Sequence, residues 1–152
     1  MTCSYHRDLA SSQEAIGLAR DELLAVVDPL SRADLDRARR GGWPVRRVLE
    51  HLIHSEHLYA QATAYLVGSQ LEAGGANSPP ESASDARRML LDSRKALLNA
   101  LKELERDPRG YETFYELRKV GHDEYSVLSL LENVVNHDRE HAEQISAILQ
   151  AD

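Results

Sequence analysis

The chain predicts an all-α fold, a four-helix bundle forming one domain over residues 1–152. Three observations carry that expectation. Apolar side chains recur at spacings of three and four in four separate stretches, the mark of helices with one buried face. Helix-breaking pairs stand between the stretches: Asp28-Pro29, Gly41-Gly42, Pro79-Pro80 and Asp107-Pro108. A chain of 152 residues can bury one real core and is too short for two comfortable ones.

The first helix should run from about Arg7 to Val27, with Leu9, Ile16, Ala19, Leu23, Val26 and Val27 on its apolar side and the weak helix former Gly17 within it. Pro29 ends it, since a proline disfavours the helical region for the residue before it and has no amide proton to donate. Ser31 and Asp34 resemble a capping arrangement over one short turn, SRADLDR, that leads to the second helix. Trp43-Pro44 opens that helix, with Pro44 suited to the first turn, where its missing donor costs nothing. It should extend to about Val67, with Val45, Val48, Leu49, Leu52, Ile53, Tyr59, Thr63 and Leu66 on a broad buried side.

Gly68 to Ser84 is rich in Gly, Ser and Pro, has no apolar period, and reads as a connection. Its length allows a reach of about 55 Å, enough for helix three to run the same way as helix two. Helix three, from about Asp85 to Glu105, is capped by Ser82 or Ser84 and stopped at Asp107-Pro108; no chemistry stands out on it. Arg109 to Tyr125 holds the only Phe together with Tyr111, Tyr115 and Tyr125, and reads as a loop or short hairpin over one end of the bundle. Ser126 to Leu149 forms the last helix, with Val127, Leu130, Leu131, Val134, Ile145, Ile148 and Leu149 in one sector.

A formal net charge of −7 argues against a duplex-binding surface, because phosphate contacts need clustered Lys and Arg. The pairs Arg39-Arg40, Arg46-Arg47 and Arg87-Arg88 read as solvated helix ends. No apolar run approaches the roughly 18 residues of a membrane span. The N-terminus shows no apolar stretch behind a basic start, and the single Cys3 cannot form an internal disulfide, so a cytoplasmic location is expected.

The chemistry centres on histidines. His137 and His141 fall inside the apolar sector of the last helix, and positions i and i+4 lie about 6 Å apart on one face. They can share a metal ion if another helix supplies a third ligand; two core histidines hydrogen-bonded to carboxylates or carbonyls is the other reading. In HLIHSEH, only His51 points inward; His54 and His57 turn about 60° and about 120° further towards water and read as surface or rim residues. His51, about 10 Å from the start of its helix, comes level with the His137 and His141 pair if the two helices are antiparallel. Glu56 sits at the centre of the buried side and needs a cationic partner, a histidine proton or a polar cavity mouth, unless it reaches solvent from the rim. Asp138 lies near the middle of the last helix's buried sector and is expected to orient an imidazole, with Glu56 the other candidate. His122 and Asp123, beside Gly121, read as solvated loop residues.

HDREH also spells a zinc-protease signature with Glu140 as base, but Glu140 projects about 80° from the two histidines, and too little chain follows His141 for a downstream third ligand. A di-iron bundle would need a Glu-x-x-His on two helices, and the second helix offers none. If His51 joins His137 and His141, the three would form an open site with one coordination position left for water or substrate. Ligand type alone does not choose among Zn, Ni, Fe, Cu and Co.

With Trp43 opening a helix, His51 eight residues on and NHDREHAEQI near the C-terminus, the chain resembles the DinB/YfiT-like metalloenzyme family over nearly its whole length. That resemblance implies an up-down-down-up bundle, often dimeric, with a divalent metal on three histidines that fall at His51, His137 and His141. Pro44 departs from the Ser or Thr usual after the Trp, which alters the cap and not the site. Some relatives use a low-molecular-weight thiol, so the resemblance implies a metal-dependent enzyme, a thiol-dependent S-transferase acting on a small-molecule substrate, and a homodimer. The alternative is a non-catalytic metal-binding or stress-related interaction protein. Because coordination needs neutral imidazoles, an all-histidine site should lose its metal as pH falls through roughly 6 to 5.

Overall fold

In the computed structural model, residues 4–69 and 78–151 are described. Four long helices make the body: α1 (Ser4–Val27), α3 (Val45–Leu66), α4 (Ala83–Arg106) and α6 (Val127–Gln150). A single-turn α2 (Arg32–Leu35) precedes α3, and a short α5 (Gly110–Tyr115) with the hairpin strands β1 (Arg118–Val120) and β2 (Asp123–Tyr125) precedes α6. The middle of the connection between α3 and α4, and Cys3, lie outside the described residues. No described helix is long and apolar enough to cross a membrane.

The helix ends follow from local chemistry. Ser31 and Asp34 close a reciprocal capping box on α2, and Ser126 and Ser129 close one on α6, so both helices start at a defined residue. Ser82 caps α4 by accepting from the Asp85 amide. Pro44 sits one position before its expected place: it is the N-cap of α3, with extended backbone, and Val45 is the first helical residue.

The segment before α6, expected to be a loop or a short hairpin, is a hairpin preceded by a short helix that was not expected. Its strands pair antiparallel, Val120 opposite Asp123, across a tight turn in which Gly121 takes φ 69°. Ahead of them α5 buries Thr113 and Phe114, and at its first residue only glycine fits: a Cβ on Gly110 would stand 2.6 Å from the Tyr5 hydroxyl. Six residues are too few for a helical period to show against the loop around them.

Two apolar pools fill the interior. One holds Leu23 and Val27 of α1, Val45 to Ile53 of α3, Ala86 and Leu90 of α4, and Ile145 and Ile148 of α6. The other holds Leu9 and Ile16 of α1, Ala60 and Leu66 of α3, Leu97 to Leu104 of α4, and Val127 to Val134 of α6. Chain numbers thus pass from the second pool to the first along α1 and α6, and the other way along α3 and α4. Between the pools, each long helix contributes one buried charged residue: Arg20, Glu56, Arg94 and Asp138.

Candidate metal centre

His51 stands on the second turn of α3, and His137 and His141 lie one turn apart on α6, so antiparallel α3 and α6 bring three imidazoles to one seam. The Nε2 of His137 is 3.2 Å from that of His51 and 3.0 Å from that of His141. Ligand atoms of all three lie within 4.8 Å of one another, and among the described residues no other set of three His, Cys, Asp or Glu does so. Two nitrogens bound at tetrahedral angles to one ion at about 2.0–2.1 Å would be roughly 3.3 Å apart, so the two short separations are close to those of a coordinated pair.

The protonation states suit that fit. Burial, then the neighbouring His141 and His51, push the pKa of His137 down to about 4. Burial also lowers that of His51, helped by His141 and His54. Both rings are therefore neutral at pH 7, with a lone pair available. His141 is oriented by a residue that sequence reasoning did not single out: its Nδ1 lies 2.6 Å from Oε1 of Gln144, one turn on. With Nδ1 donating to that amide oxygen, the Nε2 lone pair is left facing the other two rings.

Aromatic rings flank the triad. Trp43 meets the His51 ring edge-on at 5.5 Å, and Tyr59 meets His137 edge-on at 5.9 Å. The Arg47 guanidinium lies 4.7 Å from the centre of the Trp43 ring, a cation–π distance. Trp43, Arg47, Glu50, His51 and His54 line an open groove of about 230 Å³, so the His51 side of the triad can be reached from solvent. Burial raises the Tyr59 pKa, as do nearby Tyr125, Glu56 and Asp138, which keeps its phenol protonated at neutral pH.

Of the other sequence candidates, His54 is exposed and His57 half-buried, and neither joins the triad. His122, Asp123 and Glu140 are exposed.

The imidazole-orienting role expected of Asp138, with Glu56 as the other candidate, needs correcting, while Glu56 does find the cationic partner its burial demanded. Both are buried, and neither orients a histidine. Asp138 accepts from Arg20 Nε and Nη2 at 3.0 and 3.1 Å and from Arg94 Nη2 at 3.1 Å. Glu56 accepts from Arg20 Nη2 at 3.2 Å and from Arg94 through a short contact with Nε. Arg20 Nη1 also donates to the Leu90 carbonyl and Arg94 Nη1 to the Ile16 carbonyl. α4, on which no chemistry was expected, thus supplies Arg94, and α1 supplies Arg20. A helical wheel shows that a carboxylate points inward but not what it meets across the bundle.

The fold resembles that of a solved protein described as TT2238, a four-helix bundle protein, with a TM-score of 0.65 and 20% identity over 91% of this chain and 98% of that one. No curated protein matches the chain. The profile of the DinB superfamily matches residues 15–145, a span that reaches into all four long helices and contains all three histidines. The chain therefore belongs to the DinB superfamily.

Proposed function

We propose that the chain is a divalent-metal-dependent enzyme, with Zn, Ni or Fe held by His51, His137 and His141 and a low-molecular-weight thiol or water activated at the free coordination position. The observation that carries this reading is the convergence of three Nε2 atoms beside a groove open to solvent. When bound, the ion would lower the pKa of a thiol or water beside it. The residues around it have separable tasks. Gln144 holds the His141 tautomer, while Arg47 and Glu50 give the groove one charge of each sign, a match for a polar thiol bearing carboxylate and ammonium groups.

Metal analysis of protein purified without a nickel column, followed by equilibrium dialysis, tests the site. One ion per chain is expected. His51→Ala should weaken binding by at least about a hundredfold and His54→Ala by less than about threefold; equal losses would remove His51 from the site. Gln144→Ala should cost about tenfold in affinity, because the His141 ring is then free to turn, and an unchanged affinity would show that the amide does not hold it. Thiol-dependent turnover of an electrophilic substrate would establish the transferase reading. Metal uptake without turnover under any thiol would leave a non-catalytic metal-binding protein.

A further inference from the structure

A second recess is lined by α3 residues from Ser55 onward, further along the helix than those of the charged groove. It is a cleft of about 530 Å³ along the α3 and α6 seam, with the hairpin as its far wall. Leu58, Tyr59, Tyr65, Val120, Tyr125 and Leu130 supply most of its surface, and Ser55 and Gln61 add neutral polar groups. Among the described residues no charged side chain lines it, although charged residues make up 28% of the chain. One of its lining residues is Tyr59, whose ring meets that of His137 edge-on.

We infer that this cleft binds an uncharged, largely apolar small molecule and presents it to the histidine triad. The volume is in the usual range for small-molecule sites. A carboxylate or ammonium entering the cleft would give up water and meet no counter-charge, whereas an aromatic or aliphatic body gains contact with three tyrosine rings and the leucines. Hydroxyls of Tyr59, Tyr65 and Tyr125 and the Gln61 amide can take a carbonyl, ether or hydroxyl on such a body. The two recesses, one lined by His51 and the other meeting His137 through Tyr59, therefore differ in kind: charged groups go to the groove, and the uncharged partner goes to the cleft. That division of labour rests on the triad being a metal site; binding in the cleft does not.

The test uses N-phenyl-1-naphthylamine, an uncharged probe whose fluorescence rises in apolar surroundings, titrated into the full-length protein. Saturable binding is expected. Leu58 is 51% exposed at the cleft and Leu98 is 40% exposed on α4, so a glutamate at either position should be compatible with folding, which circular dichroism checks. Leu58→Glu should weaken probe binding at least about tenfold, Leu58→Gln less than about threefold, and Leu98→Glu not at all. 2-Naphthalenemethanol should displace the probe, and 2-naphthoate should do so at least about tenfold less well. Absent saturation, equal losses from Leu58→Glu and Leu98→Glu, or equal displacement by alcohol and carboxylate overturns the inference. So does a dimer that Leu58→Glu dissociates while the probe fails to bind, because a second copy then covers the cleft. Metal uptake is measured on the same samples: Leu58-sensitive probe binding in a protein that takes up no ion would sink the metalloenzyme reading and leave the cleft standing.

Discussion

Replacing Glu56 by Ala is expected to destabilise the protein by about 3–5 kcal/mol, a large share of the roughly 5–15 kcal/mol that holds a domain of this size together. The four buried charges form a neutral set, Arg20 and Arg94 against Glu56 and Asp138, with relative exposures of 2–6%. Burial opposes the Arg94 charge, and Glu56 and Asp138 more than offset that, so the Arg94 pKa is raised. Removing Glu56 leaves two desolvated guanidiniums to share one carboxylate, and the uncompensated buried charge rather than the lost attraction sets the size of the effect. Glu56→Gln keeps an acceptor in place and should cost less. Urea denaturation at neutral pH measures both; a loss below about 1 kcal/mol for Glu56→Ala would mean that Arg94 finds water or another acceptor. Replacing all four residues together by Met and Leu should cost far less than Glu56→Ala alone, since buried ion networks roughly break even against apolar groups of similar size.

That network also marks the boundary of what the sequence made legible. The four long helices were readable because each keeps its apolar period for more than twenty residues, long enough for one face to be unmistakable. His51, His137 and His141 were readable for a related reason: each lies within or at the edge of an apolar sector, where an imidazole demands an account. Arg20 and Arg94 sent the same signal and went unread. Arg20 sits between Ile16, Ala19 and Leu23, and Arg94 between Leu90 and Leu97, all of them buried. Two inward arginines and two inward carboxylates on four different helices balance in charge, which is a clue to their pairing even without coordinates. Gln144 could not have been found that way. Its role depends on a rotamer that places Oε1 against one ring nitrogen, and an i, i+3 pair is too common on helices to stand out. The short α5 was hidden by its length, and its placement depends on Tyr5 from the far end of the chain.

The metal-free protein should lose about 2 kcal/mol of stability through His137 alone as pH falls from 7 to 4. The sign follows from the two protonation equilibria. In the unfolded chain the ring titrates near its ordinary value of 6.5, and in the folded protein it titrates at about 4. Between those values the unfolded chain binds a proton that the folded one refuses, so the contribution is complete above about 6.5 and drains away towards about 4. A His137→Gln variant should show a flatter profile over the same range; an equally steep one would place the titration elsewhere. The same displacement changes the expectation for the metal. Proton competition at an all-histidine site with ordinary pKa values would strip the ion between about pH 6 and 5. With His137 held at about 4, that ring stays available to the ion below that window, and His51, lowered by burial and by His141 and His54, resists protonation more than an ordinary imidazole does. Zinc at a thousand times its dissociation constant should add about 4 kcal/mol of stability at pH 7 and retain part of that gain at pH 5. Denaturation profiles with and without zinc across pH 7 to 4 measure this gain directly, and profiles that already coincide at pH 6 would rule out ligation by these buried, proton-resistant imidazoles.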